Sequence, residues 1–265
     1  MTRTHPLIRL TSVDPYDPMQ RIQAFDQNTN PKPSVCTLGS FDGVHLGHQQ
    51  LIRTVVNEAH AHQAQAVVIT FHPHPREVLG NVKMKYLTTP EEQAEQMQAL
   101  GVDTLLMLPF TKETSQTQAT TFVEQMLTHL KLISVWIGPD FALGYKRQGN
   151  ATFLREQGQQ KGFAVNVLPE LGFGHWAVSS TRVREALARG DVREANLCFG
   201  RPFSATALAQ DAYSLCVDTQ HALPVNGRYA VLVQTEPNEA EVRESCIQLR
   251  DPTPYTHEPI KIEFV

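Results

Sequence analysis

The chain has 265 residues, 41% of them apolar and 19% charged, which is enough to bury one large core or a domain plus a smaller one and is far from a disordered composition. Its 23 Lys and Arg against 27 Asp and Glu leave a formal charge of −4 with no basic run, so no nucleic acid is expected as a partner. No apolar stretch approaches membrane-spanning length, the first residues lack a signal-peptide pattern, and Cys36, Cys198, Cys216 and Cys246 are far apart with no CxxC; the expectation is a cytoplasmic protein with reduced thiols and no membrane partner.

Residues 1–34 carry an early apolar patch (Leu7, Ile8, Leu10), then Asp-Pro pairs and a Gln/Asn/Pro stretch, which together read as a short edge strand and an irregular lead-in. Residues 35–52, VCTLGSFDGVHLGHQQLI, are the stretch around which the rest is organised. They read as a buried strand over 35–38, a glycine-rich turn, and a helix with Ile52, Val55, Val56 and Ala59 on one face. Glycines let a backbone approach a phosphate, and the free N–H groups of a helix start favour negative charge. The spacing is neither GxxxxGK[ST] nor GxGxxG. Instead, His45 and His48 stand three apart on one side of the first helical turn, aimed where an anion would sit. Ordinary loop histidines are the plainer reading of that pair, and a zinc pair is another, although no Cys or acidic ligand stands at zinc spacing nearby.

The continuous run at 66–71, AVVITF, reads as a parallel strand buried on both faces. FHPHPREVL (71–79) follows at its carboxyl end, where α/β proteins bind ligands, and Pro73 and Pro75 are expected to hold it extended as a loop. His72 and His74 could form a metal pair, but no further ligand follows nearby. Thr89-Pro90-Glu91-Glu92 offers an N-cap, a proline at N1 and a glutamate at N3, predicting a helix to Leu100 that stops at Gly101. Next come a strand at 103–108, a helix at about 119–131 burying Phe122, Val123, Met126, Leu127 and Leu130, and a strand at 133–138. The loop GPDFALGYKRQGN (138–150) then presents Asp140, Phe141, Lys146 and Arg147; taken alone, it could equally be a solvated loop. A fifth strand at 163–168 completes a set of βαβ units and predicts a mostly parallel sheet.

SSTRVREALARGD (179–191) reads as a helix with Ser179 or Ser180 at the N-cap, a buried stripe of Val183, Ala186 and Leu187, and Gly190 at its end. Its hydroxyls and free N–H groups can hold phosphate oxygens, with Arg182 and Arg184 adding charge-assisted bonds; an ordinary capped helix with surface arginines fits the same residues. Asp191 and Glu194 form a capping box for the next helix.

The string GSFDGVHLGH resembles the first signature of the nucleotidylyltransferase superfamily, whose HxGH motif contacts a nucleotide triphosphate. FDGVHLGH is closer still to the FAD synthetase module of bacterial bifunctional riboflavin kinase/FAD synthetases. PHPRE (73–77) and the DFALGYKR loop resemble segments that lie beside flavin and nucleotide in those enzymes. VSSTRVR (178–184) resembles the second signature, ISSTxxR, with Arg184 at the motif's arginine, and GRPF (200–203) resembles the junction before the family's second domain. The resemblance covers about 33–203. It implies an α/β fold: a Rossmann-like parallel-sheet nucleotidylyltransferase domain over 1–203, and a small β-rich, degenerate kinase-like barrel over 204–265. Catalytic roles are implied for His45, His48 and Arg184. Binding of ATP is implied for Gly39, Ser40, Phe41, Asp42, Gly43, Gly47, Asp140, Ser179, Ser180 and Thr181. Contact with the flavin is implied for Phe71, Pro73, His74, Pro75, Arg76, Phe141 and Arg147. The implied reaction joins ATP and FMN to give FAD and pyrophosphate, with magnesium arriving on ATP and no metal site of the protein's own.

Past 203 the resemblance thins. ALPVNGRYAVLVQ (222–234) resembles a strand pair of the kinase barrel, and 245–249 and 260–264 alternate as half-buried strands do. The GRxLGFPTAN segment that holds ATP and magnesium in the kinase has no counterpart between Phe203 and Leu223, so no riboflavin kinase activity is expected. Ser40 stands where the family often has Asn, and 110–118 is polar where the family has an aromatic pair. Three other readings stay open: a transferase for another phosphorylated acceptor, a non-catalytic flavin- or nucleotide-binding paralogue, and a zinc protein using His45, His48, His72 and His74.

Overall fold

The computed structural model describes residues 19–29, 31–80, 83–173, 176–254 and 258–265. The patch at Leu7, Ile8 and Leu10 lies outside the described residues; the edge strand found within 1–34 is β1 (Gln20–Ile22). There follow β2 (Ser34–Leu38), α1 (Leu46–Ala61), β3 (Gln65–His72), α2 (Pro75–Gly80), α3 (Pro90–Ala99), β4 (Thr104–Pro109), α4 (Ala119–Leu130) and β5 (Leu132–Ile137). The pair β6 (Ala142–Leu143) and β7 (Gly149–Asn150) folds the next loop on itself, and α5 (Ala151–Lys161) leads to β8 (Ala164–Val167). A second small pair, β9 (Gly172–Phe173) and β10 (Trp176–Ala177), precedes α6 (Ser180–Ala188) and α7 (Val192–Phe199). The last strands are β11 (Phe203–Ala209), β12 (Ser214–Val217), β13 (Gly227–Val233), β14 (Glu236–Arg243), β15 (Cys246–Leu249) and β16 (Ile260–Phe264).

The main sheet runs β1-β4-β3-β2-β5-β8, with every neighbouring pair parallel. Starting from β2, the chain builds outward through β3 and β4, then crosses to the other side of β2 to lay down β5 and β8. The carboxyl end of β2 is therefore the point where strand order reverses, the place where open parallel sheets bind ligands. Continuous apolar runs form these strands because both faces are covered. Val35, Val68 and Leu105 pack towards α1 and α3, while Cys36, Val67 and Ile69 pack towards α4 and α5.

α3 begins as its sequence predicts. The Thr89 side chain accepts from the Glu92 N–H at 3.1 Å, and the Glu92 carboxylate accepts from the Thr89 N–H at 2.8 Å. The expectation of an extended loop at 71–79 fails beyond His74, because Pro75 opens α2, at the helical position where a missing N–H is harmless. The His72–Pro73 peptide is cis. At α7, Asp191 accepts from the Glu194 N–H at 2.9 Å, but the Glu194 carboxylate is engaged by Arg182 and Arg189 (2.7 and 2.8 Å). The reciprocal half of that predicted box is diverted to salt bridges.

The last six strands form a closed antiparallel barrel in the order β11-β12-β15-β14-β13-β16. Short as the segment is, the barrel leaves no open edge, because β11 pairs with both β12 and β16. Of the expected strand pair at 222–234, the strand starts only at Gly227. One apolar cluster joins Val183, Leu187, Ala195 and Phe199 of the last two helices to Phe203, Val231, Ile247 and Phe264 of the barrel, so the core runs continuously across position 203.

Candidate active site

Gly39 leaves β2 with its N–H donating to the Ile69 carbonyl at 3.1 Å. The Ser40 carbonyl accepts from the Thr70 hydroxyl (3.1 Å) and the Gln93 amide (2.9 Å). Phe41 and Val44 then both adopt left-handed backbone angles, φ 48° and 42°. That conformation costs a non-glycine residue about 1–2 kcal/mol, so the surroundings must impose it. They do so on several sides. Phe41 points into the core at 2% exposure. At Gly43 (φ +83°), a Cβ would lie 2.9 Å from the Phe199 ring and 3.0 Å from Leu87. The Gly43 N–H donates to the Thr88 hydroxyl at 3.1 Å, and the Gly43 carbonyl accepts from Arg201 at 3.0 Å. Gln49 donates to the carbonyls of Val44 and Phe199, at 2.9 and 2.8 Å.

His45 is the N-cap of α1, and its Nδ1 accepts from the His48 N–H at 3.4 Å. This fixes the proton of the neutral ring on Nε2. The two imidazoles stack with centroids 3.6 Å apart, and His48 meets the Phe41 ring edge-on. The stack needs Gly47: a Cβ there would stand 3.3 Å from the His45 ring. Burial lowers the His45 pKa to about 4. Burial, then the neighbouring His45, hold His48 well below its ordinary value. Both rings are thus neutral at pH 7, and the buried His48 Nδ1 has no protein partner.

Asp42 is 4% exposed. One carboxylate oxygen accepts from the Leu87 and Thr88 N–H groups (2.9 and 3.3 Å), and the other accepts from Arg184. Burial pushes its pKa up, against the pull of the Arg184 guanidinium and the two N–H groups. Ser179 caps α6 by accepting from the Arg182 N–H at 3.2 Å. The Ser180 hydroxyl donates to the Asp42 carbonyl at 2.9 Å, and Thr181 is exposed. The starts of α1 and α6 therefore meet, with a Gly47 Cβ position only 3.7 Å from the Val178 carbonyl. Arg184 also donates to the carbonyls of Lys85 and Ser180, at 3.1 and 3.2 Å.

Beside this junction lies a cleft of about 20 Å³ lined by Ser40, Asp42, Phe71, His72, His74, Tyr86, Thr88, Thr89, Pro90 and Gln93. His74 Nδ1 accepts from the N–H of exposed Arg76 at 3.0 Å. Burial, then the charges of Arg184 and Arg76, lower the His74 pKa to about 4. The Tyr86 hydroxyl accepts from the His74 N–H and donates to Glu77. Pro73 and Pro75 flank His74 at the cleft's edge. Across β2, Phe141 borders the same apolar cluster as Phe71, at the carboxyl ends of β5 and β3. Asp140 and Arg147 of that loop are exposed, and Arg147 donates to the Asp140 carbonyl at 2.8 Å.

Of the expected residues, 39–48, 179–184 and 71–76 come together around one junction, while Phe141 packs on the apolar cluster beside β5 and Asp140 and Arg147 stay exposed in their own loop. Phe41 and Asp42 are internal supports: their side chains are committed to the core, to Arg184 and to the backbone at 87–88. Thr70, Thr88, Gln93 and Gln49 bond the turn without belonging to any of the motifs, and Arg201, within GRPF, bonds it from the domain junction. The available signal was a polar side chain on an otherwise buried face, as at Thr70 within AVVITF and Gln93 on α3.

The segment carrying Asp42's partners is itself held by the barrel. The Tyr86 N–H donates to the Gln220 carbonyl and the Ala222 N–H to the Tyr86 carbonyl, both at 2.7 Å. Buried His221 faces Glu92 at 3.4 Å through Nε2 and the Ala222 carbonyl at 2.8 Å through Nδ1, so both ring nitrogens meet acceptors. Glu92 also accepts from the Thr206 hydroxyl of β11 at 2.6 Å.

Residues 27–182 match the family described as FAD synthetase. A bifunctional riboflavin kinase/FMN adenylyltransferase from Listeria monocytogenes is 37% identical over 172 residues, covering 64% of this chain and 54% of that protein. A protein named FAD synthetase from the same organism is 29% identical over 204 residues, covering 76% of this chain and 82% of that protein. The chain thus spans about half the length of the bifunctional relatives it matches first. A crystal structure described as a macrolide-efflux protein from Streptococcus pneumoniae superposes with a TM-score of 0.81, covering 93% of this chain and 89% of that one; at 24% identity the likeness establishes the fold.

Proposed function

The chain belongs to the FAD synthetase family, and from that premise we propose that it transfers the adenylyl group of ATP to FMN, giving FAD and pyrophosphate, without riboflavin kinase activity. The observation that carries this reading is the meeting of two helix starts, α1 and α6, beside a stacked neutral histidine pair at the strand-order reversal. Free N–H groups of helix starts bind phosphate, and two of them together suit a triphosphate.

In the proposed reaction a phosphate oxygen of FMN attacks the α-phosphorus of ATP, and the bond to the β-phosphate oxygen breaks to release pyrophosphate. The attacker is already an anion, so the chain's task is alignment and neutralisation of developing charge. His45 and His48 serve as donors to the α-phosphoryl group and the leaving pyrophosphate. Ser179, Ser180 and Thr181, with the first N–H groups of α6, hold the outer phosphates. Arg184 uses three of its donors on Lys85, Ser180 and Asp42, which leaves guanidinium N–H groups for a phosphate oxygen. Phe71, Pro73, His74, Pro75, Arg76, Phe141 and Arg147 surround the flavin end, and Gly39, Ser40, Gly43, Gly47 and Asp140 the nucleotide.

Among the described residues no group of three or more His, Cys, Asp or Glu is placed to hold a metal, and both Asp42 oxygens already have partners. That donor set fits a magnesium ion that arrives on the triphosphate and keeps its waters, where it would neutralise phosphate charge. The lack of kinase activity is supported by the missing GRxLGFPTAN segment and by the long match to a relative named FAD synthetase alone. On this reading 1–203 carries the chemistry and 204–265 supports it. The test is to incubate purified protein with ATP, magnesium and either FMN or riboflavin and to separate the flavins by chromatography. FAD from FMN and no product from riboflavin is expected; FMN appearing from riboflavin would overturn the kinase half, and no FAD from FMN would overturn the whole.

A further inference from the structure

Cys216 on β12 and Cys246 on β15 are 30 residues apart in sequence but directly paired across the barrel wall. The ladder around them fixes the kind of pair. Val217 N–H donates to the Ser245 carbonyl, and Leu249 N–H donates to the Tyr213 carbonyl. Hydrogen-bonded pairs therefore fall at 217/245 and 213/249, which puts 216/246 at a non-hydrogen-bonded position. There the two Cα atoms approach to about 4.5 Å and side chains stand closest. That spacing lies within the range a disulfide spans, about 4.4–6.8 Å.

The side chains agree with the backbone. Both point out of the barrel, the Sγ atoms are 3.7 Å apart, and Cys246 is exposed. On its other side Cys246 pairs with Arg243 of β14, whose guanidinium is turned to Glu241 at 3.0 Å. The thiolate is the form that attacks disulfides, and exposure gives Cys246 access to one. Cys36 and Cys198, by contrast, are buried in the apolar clusters.

We propose that Cys216 and Cys246 form a redox-active dithiol that closes to an intramolecular disulfide by exchange with a small-molecule disulfide such as oxidised glutathione. The Cys246 thiolate attacks one sulfur of the glutathione disulfide, forming a mixed disulfide and expelling one glutathione thiolate. Cys216, deprotonated in turn, attacks the Cys246 sulfur and expels the second. The protein loses two electrons and two protons, and one glutathione disulfide becomes two glutathione thiols. The closed link ties β12 to β15 and encloses the β13–β14 hairpin.

The experiment equilibrates the folded full-length protein in buffers of graded reduced-to-oxidised glutathione, quenches with an alkylating reagent, and maps peptides without reduction. Expected are a loss of two hydrogens, a cross-linked peptide pair holding Cys216 and Cys246, and unmodified Cys36 and Cys198. In Cys216→Ser, Cys246 should instead accumulate as the glutathione mixed disulfide. Wild-type protein that accumulates glutathione on one or both surface cysteines without the internal link would overturn the proposal, as would a folded protein whose two cysteines stay reduced at the most oxidising ratio. The wild-type map decides the matter even if the variant does not fold.

Discussion

The turn at 39–48 and the barrel at 203–264 solve opposite problems. The turn bends against local preference: Phe41 and Val44 take left-handed angles, an acid is buried, and two imidazoles are stacked without charge. Its bonds come from afar, from Thr88 at 45 residues' distance and Arg201 at 158. The barrel follows its own alternation, with inward Phe203, Ala205 and Ala207 on β11 and Ile260, Ile262 and Phe264 on β16, and its bonds are mostly to the next strand. The contrast shows that the turn holds its shape only because other elements hold it. The barrel is among them, through Gln220, His221 and Ala222.

The strongest way to break that comparison is at Asp42. Arg184→Met leaves a buried carboxylate with only two N–H partners, and the loss should be about 3–5 kcal/mol by denaturant melts at pH 7. The loss should shrink in acid as Asp42 takes up a proton. A variant as stable as wild type at pH 7 would mean that the turn does not depend on this pair. Next in size is His48→Ala, for which removal of one transition-state donor should lower kcat about 10²–10³-fold while the circular dichroism spectrum is kept. Turnover within threefold of wild type would remove His48 from the chemistry.

The barrel's grip is tested at His221. Burial alone would lower its pKa, but Glu92 and the Ala222 carbonyl outweigh that and hold it above the ordinary 6.5. Burial opposes ionisation of Glu92 as well, yet His221, Thr206 and the Thr89 N–H bring its pKa below the ordinary 4.5. Stability from a raised histidine is complete below 6.5 and fades as pH rises through its folded value. Stability from a lowered glutamate is complete above 4.5 and fades as pH falls through its folded value. The difference in stability between wild type and His221→Gln should therefore be greatest between these limits, at about 1–3 kcal/mol, and decline on both sides. Asp42 also acts on His221 and helps to raise its pKa, so its coupling is part of the difference and fades with the histidine's charge on the alkaline side. A difference that stays flat from pH 4 to 9 would show that the two residues are not an ion pair. The smallest effect is expected from Thr89→Ala, about 1 kcal/mol from the lost cap of α3. A loss several times larger would place the cap within the site's support as well.

Local chemistry was legible in the sequence, and long-range partnership was not. The Thr89-Pro90-Glu91-Glu92 helix start and the buried strand at 66–71 lie where their residues place them, because each is decided within a few neighbours. Pro75 misled because proline suits both an extended loop and a first helical turn. Strands β11 and β14 gave no warning, being rich in Ala, Ser, Thr and Glu, and β12 is a run of only four residues; closure of the barrel drives all three into strands. The site divides the same way. The motifs brought 39–48 and 179–184 forward, but the pairing of Asp42 with Arg184 spans 142 residues and the meeting of Cys216 with Cys246 spans 30, and no local pattern encodes either.

The most direct test of the central claim follows the phosphorus atoms. The protein is supplied with FMN, magnesium and ATP labelled at either the α- or the γ-phosphate, and flavin and pyrophosphate are separated and counted. Attack at the α-phosphorus predicts α-label in FAD and γ-label in pyrophosphate alone. Label from the γ-phosphate in the flavin, or no labelled flavin from a folded protein that binds both substrates, would contradict the account.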